Sequence, residues 1–85
     1  MENDDRIARH HMPGVIRRYR DRAGLSQQEL ADFIGVSKGF ISALEGGRSA
    51  PSLDRLVQIA DALRVCPGDM VKDMMRDAAK APPIS

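Results

Sequence analysis

An all-α fold of five short helices is what this sequence predicts, and three observations predict it. Residues that cap or stop helices recur along the chain, and apolar residues between them fall at three- and four-residue spacings. No segment alternates apolar and polar residues as a half-buried strand does. The 85 residues, 42% of them hydrophobic, suffice for one core but not for a second domain or a deep enclosed cleft. A multi-step enzyme is therefore not expected.

Residues 1–12, polar and containing the adjacent His10 and His11, read as an N-terminal arm. Pro13 suits a first helical position and opens helix 1, in which Ile16, Tyr19 and Ala23 share a face before Gly24 stops it. The run Ser26-Gln27-Gln28-Glu29 has capping-box spacing, with hydroxyl and carboxylate able to satisfy each other's backbone amides. Helix 2 follows, burying Leu30, Ala31 and Ile34, and Gly35 supplies the positive φ of a sharp turn. Ser37 caps helix 3, whose Ile41 and Leu44 point inward and which Gly46 and Gly47 terminate. Ser52 caps helix 4, where Leu53, Leu56, Ile59, Ala60 and Leu63 give the strongest amphipathic pattern in the chain. Pro67 starts helix 5, with Met70, Val71, Met74, Met75 and Ala78 on its apolar side. Cys66 stands at the expected cap of that helix, where serine is usual, and reads as a poor cap rather than a redox switch. Residues 13–78 thus form one domain, and 79–85, containing Pro82 and Pro83, a C-terminal tail.

The net charge of +1 conceals a gradient. Residues 1–5 sum to −3, residues 6–48 hold eight bases and four acids for +4, and residues 49–85 balance. A segment with that excess permits a polyanion-binding face. No apolar run approaches the roughly 18 residues of a membrane span, and the acidic start is unlike a secretory signal. A cytoplasmic, nucleoid-associated protein without membrane contact is expected. One cysteine makes no internal disulfide, and no two of His10, His11 and Cys66 have metal-ligand spacing on a helix. Neither metal nor cofactor is expected. No activated-serine signature accompanies the histidines, so the chain reads as a non-enzyme.

The chemistry concentrates at the bend between helices 2 and 3. Residues Gln27 to Leu44 have the composition of a helix-turn-helix: Ala31 is small where the helices cross, Gly35 makes the turn, Val36 plugs beneath it, and Ile41 and Leu44 anchor the second helix. Such a helix fits a DNA major groove about 12 Å wide and offers its first residues to base edges. A pair of packed helices with no nucleic-acid role has the same local pattern.

Residues 15–72, through the run RDRAGLSQQELADFIGVSKGFISALEGGRSAPSLDRLVQIADALRV, resemble the phage Cro and repressor family of helix-turn-helix proteins, also called the xenobiotic-response-element family. The resemblance implies a lambda-repressor-like five-helix domain and a transcriptional regulator, most simply a repressor, acting as a homodimer on a pseudo-palindromic double-stranded DNA operator. It also implies roles for individual residues. Lys38, Gly39, Ser42 and Ala43 occupy the base-reading positions, with Phe40 either touching a thymine methyl or sugar or folding back onto helix 2. Gln27, Ser37, Gly46, Gly47, Arg48 and Arg17 fall at phosphate-contacting positions, the two glycines through their amides. On the residues alone, Arg17, Arg18 and Arg22 also read as a solvated helix face. Arg20 and Glu45 match a structural ion pair joining helix 1 to the end of helix 3. Because the apolar stripe of helix 5 is wider than a small core needs, Met74, Met75 and Ala78 are expected at a two-fold dimer interface. The alternatives are an antitoxin whose helix 5 and tail hold a toxin or other protein partner, and a restriction-modification controller.

Overall fold

Three serines, each in extended backbone conformation, set where the central helices begin. The Ser26, Ser37 and Ser52 hydroxyls accept from the amides of Glu29, Phe40 and Arg55 at 3.0, 3.1 and 3.1 Å. At Ser26 the capping box closes, its amide donating to Glu29 Oε1 at 2.8 Å. The computed structural model describes residues 5–80, with side chains from residue 7 onward, as α1 (Asp5–Ala23), α2 (Gln27–Ile34), α3 (Lys38–Glu45), α4 (Leu53–Ala62) and α5 (Pro67–Lys80). The described residues contain no strand.

Four turns repeat one device. After α1, α2 and α3 the chain reverses on Gly24, Gly35 and Gly47, each with φ near +75°, and after α4 on Arg64 at φ 59°. At α4 the Arg64 amide donates to Asp61 and the Val65 amide to Ala60, the paired bonds of a Schellman end. Arg64 holds the left-handed conformation that glycine adopts without strain.

Helix α1 departs from the sequence reading. It begins at Asp5, eight residues ahead of Pro13, so residues 5–12, expected in the arm, belong to the helix. Proline normally disrupts a helix interior. Here burial outweighs that cost: Met12 is 3% exposed, Val15 and Ile16 are fully buried, and Ala8, Met12, Val15 and Tyr19 continue one helical face through the proline. At the other end α5 runs to Lys80, taking residues 79 and 80 from the expected tail. The rest of the arm (1–4) and of the tail (81–85) lies outside the described residues.

The core joins Met12, Val15 and Ile16 of α1 to Leu30, Ala31, Ile41, Leu44, Leu56, Ile59, Ala60, Leu63 and Met70. Helix α1 packs on α3 and α5, α2 on α3 and α4, and α4 on α5. Helices α1 and α5 are also joined at the surface: Tyr19 Oη donates to Asp73 Oδ2 at 2.6 Å, and Arg18 pairs with Asp77 at 3.0 Å. The bond to Asp73 holds the Tyr19 hydroxyl above its ordinary pKa. No described helix is long and apolar enough to cross a membrane.

Candidate nucleic-acid interface

In α3, positions 38, 39, 42 and 43 share one face because residues four apart stack on successive helical turns. Lys38 and Gly39 are exposed and Ser42 and Ala43 half-buried, while Ile41, Leu44 and Glu45 point into the protein. The outward face therefore contains a cation, a bare backbone position, a hydroxyl and a methyl. Lysine can donate to guanine O6 and N7, serine can donate to an acceptor or accept from a donor on a base edge, and a methyl can pack on thymine. At the amino end of α3 the Ser37 cap satisfies Phe40, leaving the Lys38 and Gly39 amides without intrahelical acceptors. Amides in that position, at the positive end of the helix dipole, suit a phosphate.

Behind this face lies a buried ionic hub. The Glu45 side chain is 1% exposed. Arg20 grips it with both arms of the guanidinium, Nε to Oε2 at 2.6 Å and Nη2 to Oε1 at 2.9 Å, while Arg20 Nη1 donates to the Leu25 carbonyl at 2.8 Å. Gln27 Nε2 donates to Oε1 at 3.0 Å, and Arg17 Nε stands 3.7 Å from the same oxygen. Burial alone pushes the Glu45 carboxyl up, but the bonds from Arg20 and Gln27 and the charges of Arg20 and Arg17 outweigh it and hold the group below its ordinary value. Correspondingly, the bond to Glu45 holds Arg20 above its own, against the opposing effect of desolvation. The carboxylate fixes α3 against α1 and the start of α2, so the reading face is oriented by a rigid support.

The expected phosphate contacts divide. Arg48 is exposed just beyond α3, and Arg17 is 61% exposed while still reaching Glu45. The Gln27 side chain points inward to Glu45, so its backbone amide at the start of α2 is what remains for an anion. The amide contacts expected of Gly46 and Gly47 are corrected by the helix end itself. The Gly46 amide donates to Ser42 at 2.8 Å and the Gly47 amide to Leu44 at 3.2 Å, so both donors are consumed in closing α3. Gly47 has a different duty: at φ +76° its backbone lies so close to α1 that a Cβ would meet the Arg9 carbonyl oxygen at 3.3 Å. Phe40 is not on the outer face. Its ring is half-buried against the core and lies beneath the Arg55 guanidinium of α4, 5.2 Å from the ring centre.

Sequence reasoning missed the convergence of Arg17 and Gln27 on Glu45 and the Arg55–Phe40 stack. The first joins residues 18 and 28 positions apart and the second 15, and no local period relates such positions. On α5 the structure separates the expected dimer residues. Met74 packs on the core and Ala78 is half-buried, whereas Met75 is 54% exposed beside exposed Val71 on the same face. Among the described residues no cluster of three metal-ligating side chains occurs.

A capped, outward-facing second helix on a rigid five-helix core defines the class of DNA-binding helix-turn-helix proteins. Residues 16–69 match the helix-turn-helix family HTH_3, and the chain belongs to it, among helix-turn-helix transcriptional regulators. It is 48% identical over 52 residues to an HTH-type transcriptional regulator of Methanothermobacter thermautotrophicus, covering 61% of this chain and 75% of that one. An HTH-type regulator of Mycobacterium tuberculosis is 48% identical over 50 residues, 59% of this chain, but this chain spans only 36% of its length. Among solved structures, the clp gene regulator ClgR of Corynebacterium glutamicum superposes with a TM-score of 0.81 at 29% identity, covering 85% of this chain and 77% of that one.

Proposed function

We propose that this protein is a repressor that binds a pseudo-palindromic double-stranded DNA operator as a homodimer, with α3 of each protomer in a major groove. The observation that carries this reading is the outward face of α3, Lys38, Gly39, Ser42 and Ala43, held from behind by the buried Arg20–Glu45 pair. Lys38, Ser42 and Ala43 read base edges, the amides at the starts of α2 and α3 with Ser37 and Arg48 position the backbone, and Arg17 adds a flexible cation. The outward apolar stripe of α5, Val71 and Met75 with Ala78 beside them, supports the two-fold contact. A dimer with half-sites one helical turn apart, about 34 Å, needs only this domain to occlude a promoter.

Selection of bound duplexes from a random pool, followed by footprinting and sedimentation at micromolar concentration, tests the proposal. Enriched inverted repeats with half-site centres about 10 base pairs apart, and a dimer that Met75→Asp dissociates, are expected. No enrichment, or enrichment of a single unrepeated half-site by a monomer, overturns it.

A further inference from the structure

Phe33 is 67% exposed, on the side of α2 that faces α4. It is not an isolated surface ring. Depressions on both sides of it share it as a wall: one runs over Ile34, Gln58, Asp61 and Ala62 toward α4, and the next continues past Leu25 and Leu63 to Arg64. On its outer side the wall is completed by Glu29 and Asp32. The result is a shallow groove between α2 and α4 with an apolar floor. Three carboxylates, Glu29, Asp32 and Asp61, stand on its rim against one base, Arg64, at its far end. None of the residues assigned above to DNA or to the dimer lines it.

The charge of the rim discriminates between occupants. A nucleic acid is repelled by three acids, and a second copy offering the same groove brings three more. A segment with an aliphatic or aromatic side chain flanked by lysine or arginine satisfies both floor and rim. Its apolar group covers Phe33, and its cations lie beside Asp61 and Asp32. An exposed phenylalanine leaves a large apolar area in water that an apolar side chain of a partner would cover. We propose that the Phe33 groove is a docking site for a cationic, apolar-anchored segment of another protein, lined by none of the residues assigned to DNA.

The test pans a random peptide library displayed on phage against the full chain, with Phe33→Ser and Asp61→Lys variants as counter-selections. Because both side chains are exposed, each variant is expected to keep wild-type unfolding and operator affinity. The expected outcome is a peptide class with net positive charge and at least one large apolar residue, bound about tenfold more weakly by either variant. It should perturb amide resonances of Phe33, Asp61 and Ala62, with no change at Lys38 or Ser42. The inference is overturned if no selected peptide loses affinity on Phe33→Ser, if the Phe33-dependent peptides are acidic or uncharged, or if resonances around Phe33 shift with protein concentration alone. Loss of operator binding in the wild type would count against the proposed function and leaves the peptide result independent of it.

Discussion

Replacing Arg20 by alanine should be among the most damaging single changes outside the apolar core. The substitution removes two charge-assisted bonds to Glu45 and the bond to the Leu25 carbonyl, and leaves a carboxylate 1% exposed with only Gln27 and an arginine 3.7 Å away. Breaking a buried pair from one side costs about 3–5 kcal/mol, and the two residual partners place Arg20→Ala near the lower end, at about 3 kcal/mol. At roughly 0.05–0.15 kcal/mol per residue the whole domain holds only about 4–13 kcal/mol. For a chain this size a loss of about 3 kcal/mol lowers Tm by roughly 12–24 °C. Urea and thermal unfolding at pH 7, followed by circular dichroism at 222 nm, measures it. The paired variant Arg20→Met with Glu45→Leu removes both charges together and should lie within about 1–2 kcal/mol of the parent. An Arg20→Ala cost below about 1 kcal/mol is the value of a solvated surface pair and would refute the reasoning.

Three further outcomes are expected. Lys38→Ala should relax preference at one base position by about 1–3 kcal/mol, whereas Arg48→Ala should weaken all duplexes alike; competition binding across single-base operator variants separates them. Arg64→Gly should raise stability by about 0.5–1 kcal/mol, seen as a higher denaturation midpoint with unchanged urea dependence, because Arg64 alone among the four turn residues holds a positive φ with a side chain. Since the folded-state pKa of Glu45 lies below its unfolded value, its contribution is fully present above the unfolded pKa and is lost as pH falls through the folded one. Glu45→Gln should therefore flatten the acid limb of stability against pH, and an unchanged limb would assign the acid sensitivity elsewhere.

Capping chemistry explains why the central helices were legible in the sequence. A serine three residues before its amide partner, and a glycine just past the last buried residue, act within one turn, so the local sequence contains all the information used. The starts at Ser26, Ser37 and Ser52 follow directly. Pro13 misled because its local penalty is real but is outweighed by burial of Met12 in a core assembled from distant segments. The amides of Gly46 and Gly47 were misassigned for a related reason. The same residues that look like backbone donors for an anion are those whose donors close α3. Arg64 shows the converse: its sequence context has none of the glycine that marks the other three turns, yet the Schellman bonds at Asp61 and Ala60 impose the same geometry.

The near-neutral sum of the chain then has a quantitative consequence for DNA. Of the eight bases in residues 6–48, Arg20 is committed to Glu45 and Arg18 to Asp77, and Arg22 stands over the Tyr19 ring at 5.1 Å on α1. With Lys38 assigned to a base edge, the exposed cations assigned above to phosphates are Arg17 and Arg48, two per protomer and four in a dimer. Each neutralised phosphate contributes a slope of about −0.9 in log affinity against log salt, so a dimer on its operator should show about −4 and a lone protomer about −2. Fluorescence anisotropy of a labelled operator between 50 and 300 mM salt, conditions chosen around the range where such slopes are linear, distinguishes them. A slope near −2 with dimeric protein would mean that one α3 engages at a time. A slope steeper than about −9 would place phosphates against bases outside this face, and the assignment of the interface to α3 and its flanks would have to be redrawn.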